Sequence, residues 1–299
     1  MKLINYRYKK HSTPHLGVLT KDEKQVLDLA KILGEGFAKA TMVDLIRSDL
    51  SVILPKIQAA LDSDGPTGIA IERVDLLAPI QRPIHDIICV GENYAAHQEE
   101  TAGKLIDRET LKNHDTIYFG KRASYILGND EVLSARFDLD ERLDYEVELG
   151  IVIGKTVRDL TPENVRDAIF GFTIVNDLSY RKIQMQHGQW YRGKSLDGIT
   201  AVGPCIVTAD EFEFPLKLEL SSKVDGEPRQ KGCTSQMITG VEEILIELSQ
   251  GMTLEPGDII ATGTPGGVGA GYDPPRFLKK GQRITCTIEK IGSLSNPIE

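Results

Sequence analysis

Apolar residues along this chain recur mostly in short runs at strand spacing and only occasionally at helix spacing. Near the start, "INYRYKK", "HLGVLT" and "QVLDLA" are brief apolar runs parted by polar turns, and they predict strands. "TMVDLIRSD" and "VILPKIQAALDS" place their apolar residues on one helical face instead. Pro55 is expected to interrupt or start the second of these helices, because it lacks the N–H a helix interior needs. "LLAPIQRPIHDIICV" contains Pro79 and Pro83 and reads as an extended linker running into a strand at Ile87 to Val90. Residues 1–80 therefore read as a small amino-terminal α/β accessory domain and residues 81–299 as a larger domain.

In the larger part, strand-like runs follow one another: "TIYFGKR", "YEVELGIVIG", "GFTIVND", "CIVTAD", "LKLELSSKVDG", "DIIATGT" and "RITCTIEKIG". Two helices are signalled. Thr161 has N-cap character with Pro162 behind it, so "TPENVRDAIFG" predicts a helix start. "GVEEILIELSQG" sets Val241, Ile244, Leu245 and Leu248 on one face and stops at Gly251. The turns "KVDGEP" and "LEPGD" suit antiparallel connections rather than a regular βαβ series, and the class predicted is α+β. "LIDRETLKNHDT", Leu105 to Thr116, reads as a charged, mobile insertion.

One strand breaks the pattern. "LDYEVELGIVIG" carries Glu146 and Glu148 inside an apolar run. Residues two apart in a strand face the same way, so the two carboxylates point together. At about 4 Å they repel by about 4 kcal/mol at an effective dielectric near 20. Water at an exposed edge, a basic partner or a bound cation would each offset that. "GFTIVNDLSYR" supplies a third acid, Asp177, at a strand end. Three hard oxygen donors without a Cys or His cluster suit Mg²⁺, Mn²⁺ or Ca²⁺ rather than Zn²⁺. Spacing leaves open whether Asp177 meets the glutamates.

Further chemistry lies on either side. In "VGENYAAHQEE", His97 and Glu100 are one helical turn apart, and a carboxylate beside an imidazole suits a general base acting on water; an incidental surface pair has the same spacing. Lys194 sits between Gly193 and Ser195 in "WYRGKSLDGITAVGP", where a solvated turn lysine is the plain alternative. "ATGTPGGVGAG" follows a strand, and its backbone N–H groups with the Thr264 hydroxyl could hold a carboxylate or phosphate. No G-K-[ST] follows it and no helix opens there, so it is neither a P-loop nor a dinucleotide fingerprint.

Composition narrows the partners. The net charge of −9 argues against nucleic acid as the main partner, while leaving a small anionic substrate open. No apolar run nears the roughly 18 residues of a membrane span, and "MKLINYRYKK" lacks the apolar core of a signal peptide. Cys89, Cys205, Cys233 and Cys286 are scattered, which reads as reduced thiols in a cytoplasmic protein.

Eight segments in order give a resemblance to the fumarylacetoacetate hydrolase superfamily over about residues 80–299: "GENYAAHQEE", "YFGKRASYILG", "DYEVELGIVIGK", "GFTIVNDLSYR", "HGQWYRGKSLDG", "GPCIVTADE", "PGDIIATGTPGGVG" and "IEKIGSLSNPI". The first 80 residues resemble, more loosely, the accessory domain of many bacterial members. The resemblance implies a mixed β-roll core, a homodimer and a Mg²⁺ or Mn²⁺ site, with metal ligands at Glu146, Glu148 and Asp177. It implies a water-activating pair at His97 and Glu100, often on a lid that orders on substrate binding. It also implies a catalytic lysine at Lys194 and substrate contacts at Tyr94, Lys121, Arg181, Gln189 and Thr264. Many relatives have Lys-Pro where this chain has Lys121-Arg122. The implied reaction is hydrolysis of a C–C bond in an acylpyruvate-type 2-oxo acid, such as fumarylpyruvate, to pyruvate and a carboxylic acid. Oxaloacetate decarboxylation and 2-hydroxyhepta-2,4-diene-1,7-dioate isomerisation use the same platform. A silent ligand-binding protein is the alternative outside enzymology, although it would be expected to lack the His, the Lys or one of the acids.

Overall fold

In the computed structural model, which describes residues 1–8, 13–63, 68–107, 109 and 115–299, most of the strand-like runs join one large sheet. β1 (Lys2–Arg7), β2 (His15–Leu19) and β3 (Gln25–Asp28) form an antiparallel meander. The first expected strand thus ends at Arg7, and Lys9 and Lys10 lie outside the described residues. Helices α1 (Leu29–Leu33), α2 (Met42–Arg47) and α3 (Leu50–Asp62) follow. Thr41 and Asp44 cap α2 reciprocally: the Asp44 N–H donates to Thr41 Oγ1 at 3.2 Å, and the Thr41 N–H to Asp44 Oδ2 at 2.8 Å. Pro55 lies inside α3 and neither starts nor interrupts it, contrary to expectation. The helix loses one hydrogen bond near its start, but Ile53, Ile57 and Leu61 keep a continuous buried face.

β4 (Ile69–Ala70) and β5 (Asp75–Leu77) lead to β6 (Ile87–Gly91), α4 (Ala95–Thr101) and β7 (Ile117–Lys121). Half of the charged segment expected to be mobile, Leu105 to Thr116, lies outside the described residues, at 108 and 110–114. Next come β8 (Leu143–Asp144), β9 (Val147–Ile153), β10 (Ile169–Asp177) and β11 (Ser179–Tyr180). α5 (Arg181–Gln186), α6 (Tyr191–Lys194) and β12 (Thr200–Thr208) complete the centre. Between β9 and β10, "TPENVRDAIFG" forms a turn and one 3₁₀ segment, Val165–Ala168, instead of the expected α-helix. Ile169 and Phe170 already belong to β10, so too little chain remains for a helix, and a β-branched–aromatic pair favours the strand.

The closing region holds β13 (Glu219–Val224), β14 (Glu227–Cys233), α7 (Val241–Ser249), β15 (Ile259–Ala261), β16 (Arg283–Ile288) and β17 (Gly292–Pro297). α7 matches its predicted pattern, and Gly251 just beyond it has φ of 73°. The "KVDGEP" turn joins β13 to β14 with Asp225 and Gly226 both at positive φ, the geometry a two-residue hairpin needs.

The main sheet has eleven strands in the order β4-β3-β2-β1-β12-β10-β9-β15-β6-β7, with β5 beside β1. Among the described residues, only β15 and β6 run parallel within it. A four-stranded antiparallel sheet, β14-β13-β16-β17, lies apart from it. The architecture is α+β, with a large mixed sheet and few helices. β1 pairs with β12, so the sheet runs continuously from the first 80 residues into the rest. β9 and β10 are buried along their whole lengths. Val147, Leu149, Ile151 and Ile153 pack into one apolar cluster and Val152 into another, as a strand covered on both faces must. Among the described residues, no helix is long and apolar enough to cross a membrane.

Candidate metal centre and active site

β9 begins where its antiparallel partner β10 ends, and this brings three acids together. Glu148 is paired in register with Val175, and the Asp177 N–H donates to the Glu146 carbonyl at 2.9 Å. The predicted strand from Leu143 to Gly154 is broken at Tyr145 and Glu146, where the Glu146 N–H turns to the Asn176 side-chain oxygen at 3.2 Å. The break does not separate the acids. One oxygen each from Glu146, Glu148 and Asp177 lies within 4.8 Å of the others, and all three side chains are buried. The solvated-edge alternative is excluded for this strand.

Cations compensate the acids unevenly. Lys194 Nζ lies 2.6 Å from Glu146 Oε2 and 2.6 Å from Asp177 Oδ2. Arg181 Nη2 lies 2.6 Å from Glu146 Oε1, and Lys121 Nζ 3.0 Å from Asp177 Oδ1. Among the described residues Glu148 has only the Gly263 N–H, at 2.8 Å. Burial, then Asp177 and Glu146, push the Glu148 carboxyl well above the usual range. Burial also works against ionised Glu146, but Lys194 and Arg181 hold it well below that range. Two acids are therefore neutralised by protein, and the third favours a proton or a further cation. Three buried carboxylate oxygens with one uncompensated fit a hard divalent cation, which Glu146, Glu148 and Asp177 would hold.

The same cavity is lined by His97, Arg181, Lys194 and Thr264 as well as Glu146 and Glu148. It measures about 20 Å³, room for roughly one water. His97 Nδ1 is 3.0 Å from Glu100 Oε1, so the helical spacing brings the pair together. Glu100 is fixed in turn by the backbone N–H groups of Gly267 and Val268, at 2.8 and 3.3 Å. Burial alone would lower the His97 pKa, but Glu100, Glu92 and Glu146 together raise it. Glu92 went unrecognised in the sequence. It is buried, lines the cavity and places Oε1 3.7 Å from His97 Nε2. No spacing rule marks an acid in a strand-to-helix turn.

The remaining sequence candidates divide. Arg181 lines the cavity, clamped by Asp144 at 2.9 Å and by Glu146. Lys121 is fully buried outside the lining; it donates to the carbonyls of Leu178 (2.9 Å) and Lys194 (2.5 Å) and forms an ion pair with Asp177. Arg122 is exposed. Tyr94 is buried, lies outside the lining and has a hydroxyl without a hydrogen-bond partner among the described residues. Gln189 is exposed and outside the lining, whereas Gln184 is buried within it. α5 ends at Gln186, and Gly188, at φ of 68°, lies in the exposed stretch that follows. Thr264 reaches the cavity, but its hydroxyl donates to the Val147 carbonyl (2.9 Å) and accepts from Gln230 (2.7 Å). Five N–H groups of its glycine-rich loop, expected to face an anionic ligand, donate to the protein's own carboxylates. Gly263 serves Glu148, Gly267 and Val268 serve Glu100, and Gly269 and Ala270 serve Asp144.

Residues 86–299 match the family model described as fumarylacetoacetate (FAA) hydrolase C-terminal. An oxaloacetate tautomerase of Bacillus subtilis, YisK, is 38% identical over 94% of this chain and 91% of its own length. A fumarylacetoacetate hydrolase structure from the psychrophilic Exiguobacterium antarcticum covers all of this chain and 99% of its own at 36% identity, with a TM-score of 0.81. A maleylpyruvate hydrolase from Sphingobium sp. SYK-6, in complex with manganese(II) and pyruvate, covers all of this chain and 98% of its own at 28% identity, with a TM-score of 0.76.

Proposed function

The chain belongs to the fumarylacetoacetate hydrolase family, and from that premise we propose that it hydrolyses a C–C bond in an acylpyruvate-type 2-oxo acid, yielding pyruvate and a carboxylic acid. The observation that carries this reading is that His97, paired with Glu100, lines the same cavity as Glu146 and Glu148, which cluster with Asp177. A divalent cation held by Glu146, Glu148 and Asp177, proposed as Mg²⁺ or Mn²⁺, supplies Lewis-acid polarisation of the 2-oxo acid. Glu100, pinned by two backbone N–H groups, accepts the Nδ1 proton of His97 and leaves Nε2 free as the base. His97 Nε2 takes a proton from water as the water oxygen adds to the distal carbonyl. The C–C bond to the pyruvyl methylene then breaks, and the imidazolium returns its proton to the enolate carbon. The buried Lys194 ammonium offsets the negative charge that develops. A homodimer is the proposed assembly, on the strength of the resemblance.

A second reading is keto–enol tautomerisation of oxaloacetate, favoured by the 38% identical relative that carries that name. There His97 would move a proton at the carbon next to the oxo group instead of activating water. Fumarylpyruvate, acetylpyruvate, oxaloacetate and 2-hydroxyhepta-2,4-diene-1,7-dioate, each assayed with Mn²⁺ and with chelator and with products identified, separate the readings. Pyruvate plus a second acid, lost in His97→Ala, supports hydrolysis. Turnover of oxaloacetate alone replaces it with the second reading, and undiminished hydrolysis in His97→Ala removes His97 as the base.

A further inference from the structure

We propose that Glu92 is a positioning residue for His97, a second carboxylate that holds the ring and stabilises it once Nε2 carries a proton. This rests on the reading of His97 as the general base.

Glu92 occupies a costly conformation. Its φ is 55°, a left-handed value that disfavours a long side chain. The turn is locked by Gln98 Nε2, which donates to the Glu92 carbonyl at 2.9 Å. In that conformation the carboxylate spans one face of α4. Oε2 accepts from Thr101 Oγ1 at 2.9 Å, and Oε1 lies 3.7 Å from Nε2 of His97, one turn earlier on the same helix. His97 therefore has an acid at each ring nitrogen, at different distances. Glu100 at 3.0 Å is a hydrogen-bond partner, whereas 3.7 Å is too long for one. Glu92 thus leaves the Nε2 lone pair free in the neutral ring, yet is near enough to attract the imidazolium. The other charged groups lining the cavity with the ring are Glu146, Glu148, Arg181 and Lys194, and the two cations are already paired with acids.

Two substitutions separate this role from a bracing role. Glu92→Gln keeps the shape and the acceptor for Thr101 but removes the charge. Glu92→Asp keeps the charge and shortens the reach. The proposal expects Glu92→Gln to lower kcat roughly tenfold with KM nearly unchanged, and Glu92→Asp to recover part of that loss. The substrate is whichever member of the panel turns over fastest. Independently of turnover, the His97 imidazole, followed by NMR in the intact protein, should titrate about one pH unit lower in Glu92→Gln. A brace alone predicts the reverse order, with Glu92→Gln near wild type and Glu92→Asp impaired, and that result overturns the proposal. Should Glu92→Gln fail to fold, Thr101→Val frees Oε2 while keeping the charge. It should lower kcat several-fold, and an unchanged kcat overturns the proposal. Full activity in His97→Ala would defeat the general-base reading itself, and normal His97 titration in Glu92→Gln defeats only the role of Glu92.

Discussion

The two halves of the site are built differently. Glu146, Glu148 and Asp177 stand at the facing ends of β9 and β10, strands buried along their whole lengths. His97 and Glu100 stand on α4, a seven-residue helix that leans on the glycine-rich loop through Glu100. In the acid half, charge is held by ion pairs across long sequence separations, such as Lys194 with Glu146. In the His97 half, the central pair is local, three residues apart. The acid half is electrostatically stressed and set in two fully buried strands, whereas the His97 half is short and local. Mutations in the first half should therefore reach stability, and mutations in the second should act mainly on turnover.

Lys194→Met should have the largest effect. It leaves Glu146 with Arg181 and Asp177 with Lys121 as their remaining cations next to Glu148 in a buried site, and removing one partner of a buried pair costs about 3–5 kcal/mol. The metal-free variant should melt far below wild type, and Mn²⁺ should recover part of the loss while turnover stays absent. His97→Ala should leave melting and Mn²⁺ affinity near wild type. Equal destabilisation by the two substitutions would erase the contrast between the halves.

A smaller effect follows from the opposite behaviour of two neighbouring glutamates. Glu148 has a folded pKa above its unfolded value of about 4.3. In the metal-free protein the folded state therefore keeps this proton longer than the unfolded chain does, and stability falls as pH rises through the raised value. Glu146 has the opposite sign: its contribution is present above the unfolded value and is lost as pH falls through the lowered folded one. Melting temperature against pH, with chelator and with Mn²⁺, tests both. The alkaline-side decline should flatten on adding Mn²⁺ and in Glu148→Gln. A decline unchanged by either would mean that Glu148 is not the stressed acid.

These contrasts explain what could be read from sequence. Strands were legible because burial on both faces leaves long apolar runs, and β9, β10 and α7 follow their patterns closely. The acid trio was legible as residue types, but its meeting depends on register between β9 and β10, which spacing does not encode. His97 and Glu100 were legible because the pair is local. Glu92 was not, since its role depends on one residue adopting a left-handed turn. The helix expected after Thr161 failed because the pull of a neighbouring strand exceeds local capping signals. The glycine-rich loop was read for its free N–H groups, yet buried carboxylates from three other segments occupy them.

The smallest expected effect concerns two glutamines five residues apart. Gln189 was expected at the substrate, but Gln184 faces the cavity and accepts from Arg181 Nη1 at 3.0 Å. Gln184→Ala removes one charge-assisted hydrogen bond from a guanidinium that keeps Asp144 and Glu146. That loss should be worth about 1.5 kcal/mol, or roughly tenfold in kcat/KM. Gln189→Ala touches an exposed side chain and should stay within about twofold. Steady-state kinetics on both variants suffice. The reverse order would mean that the segment after α5 folds over the substrate during turnover. Such closure would reach the acid half directly, because α6 carries Lys194 only four residues past Trp190.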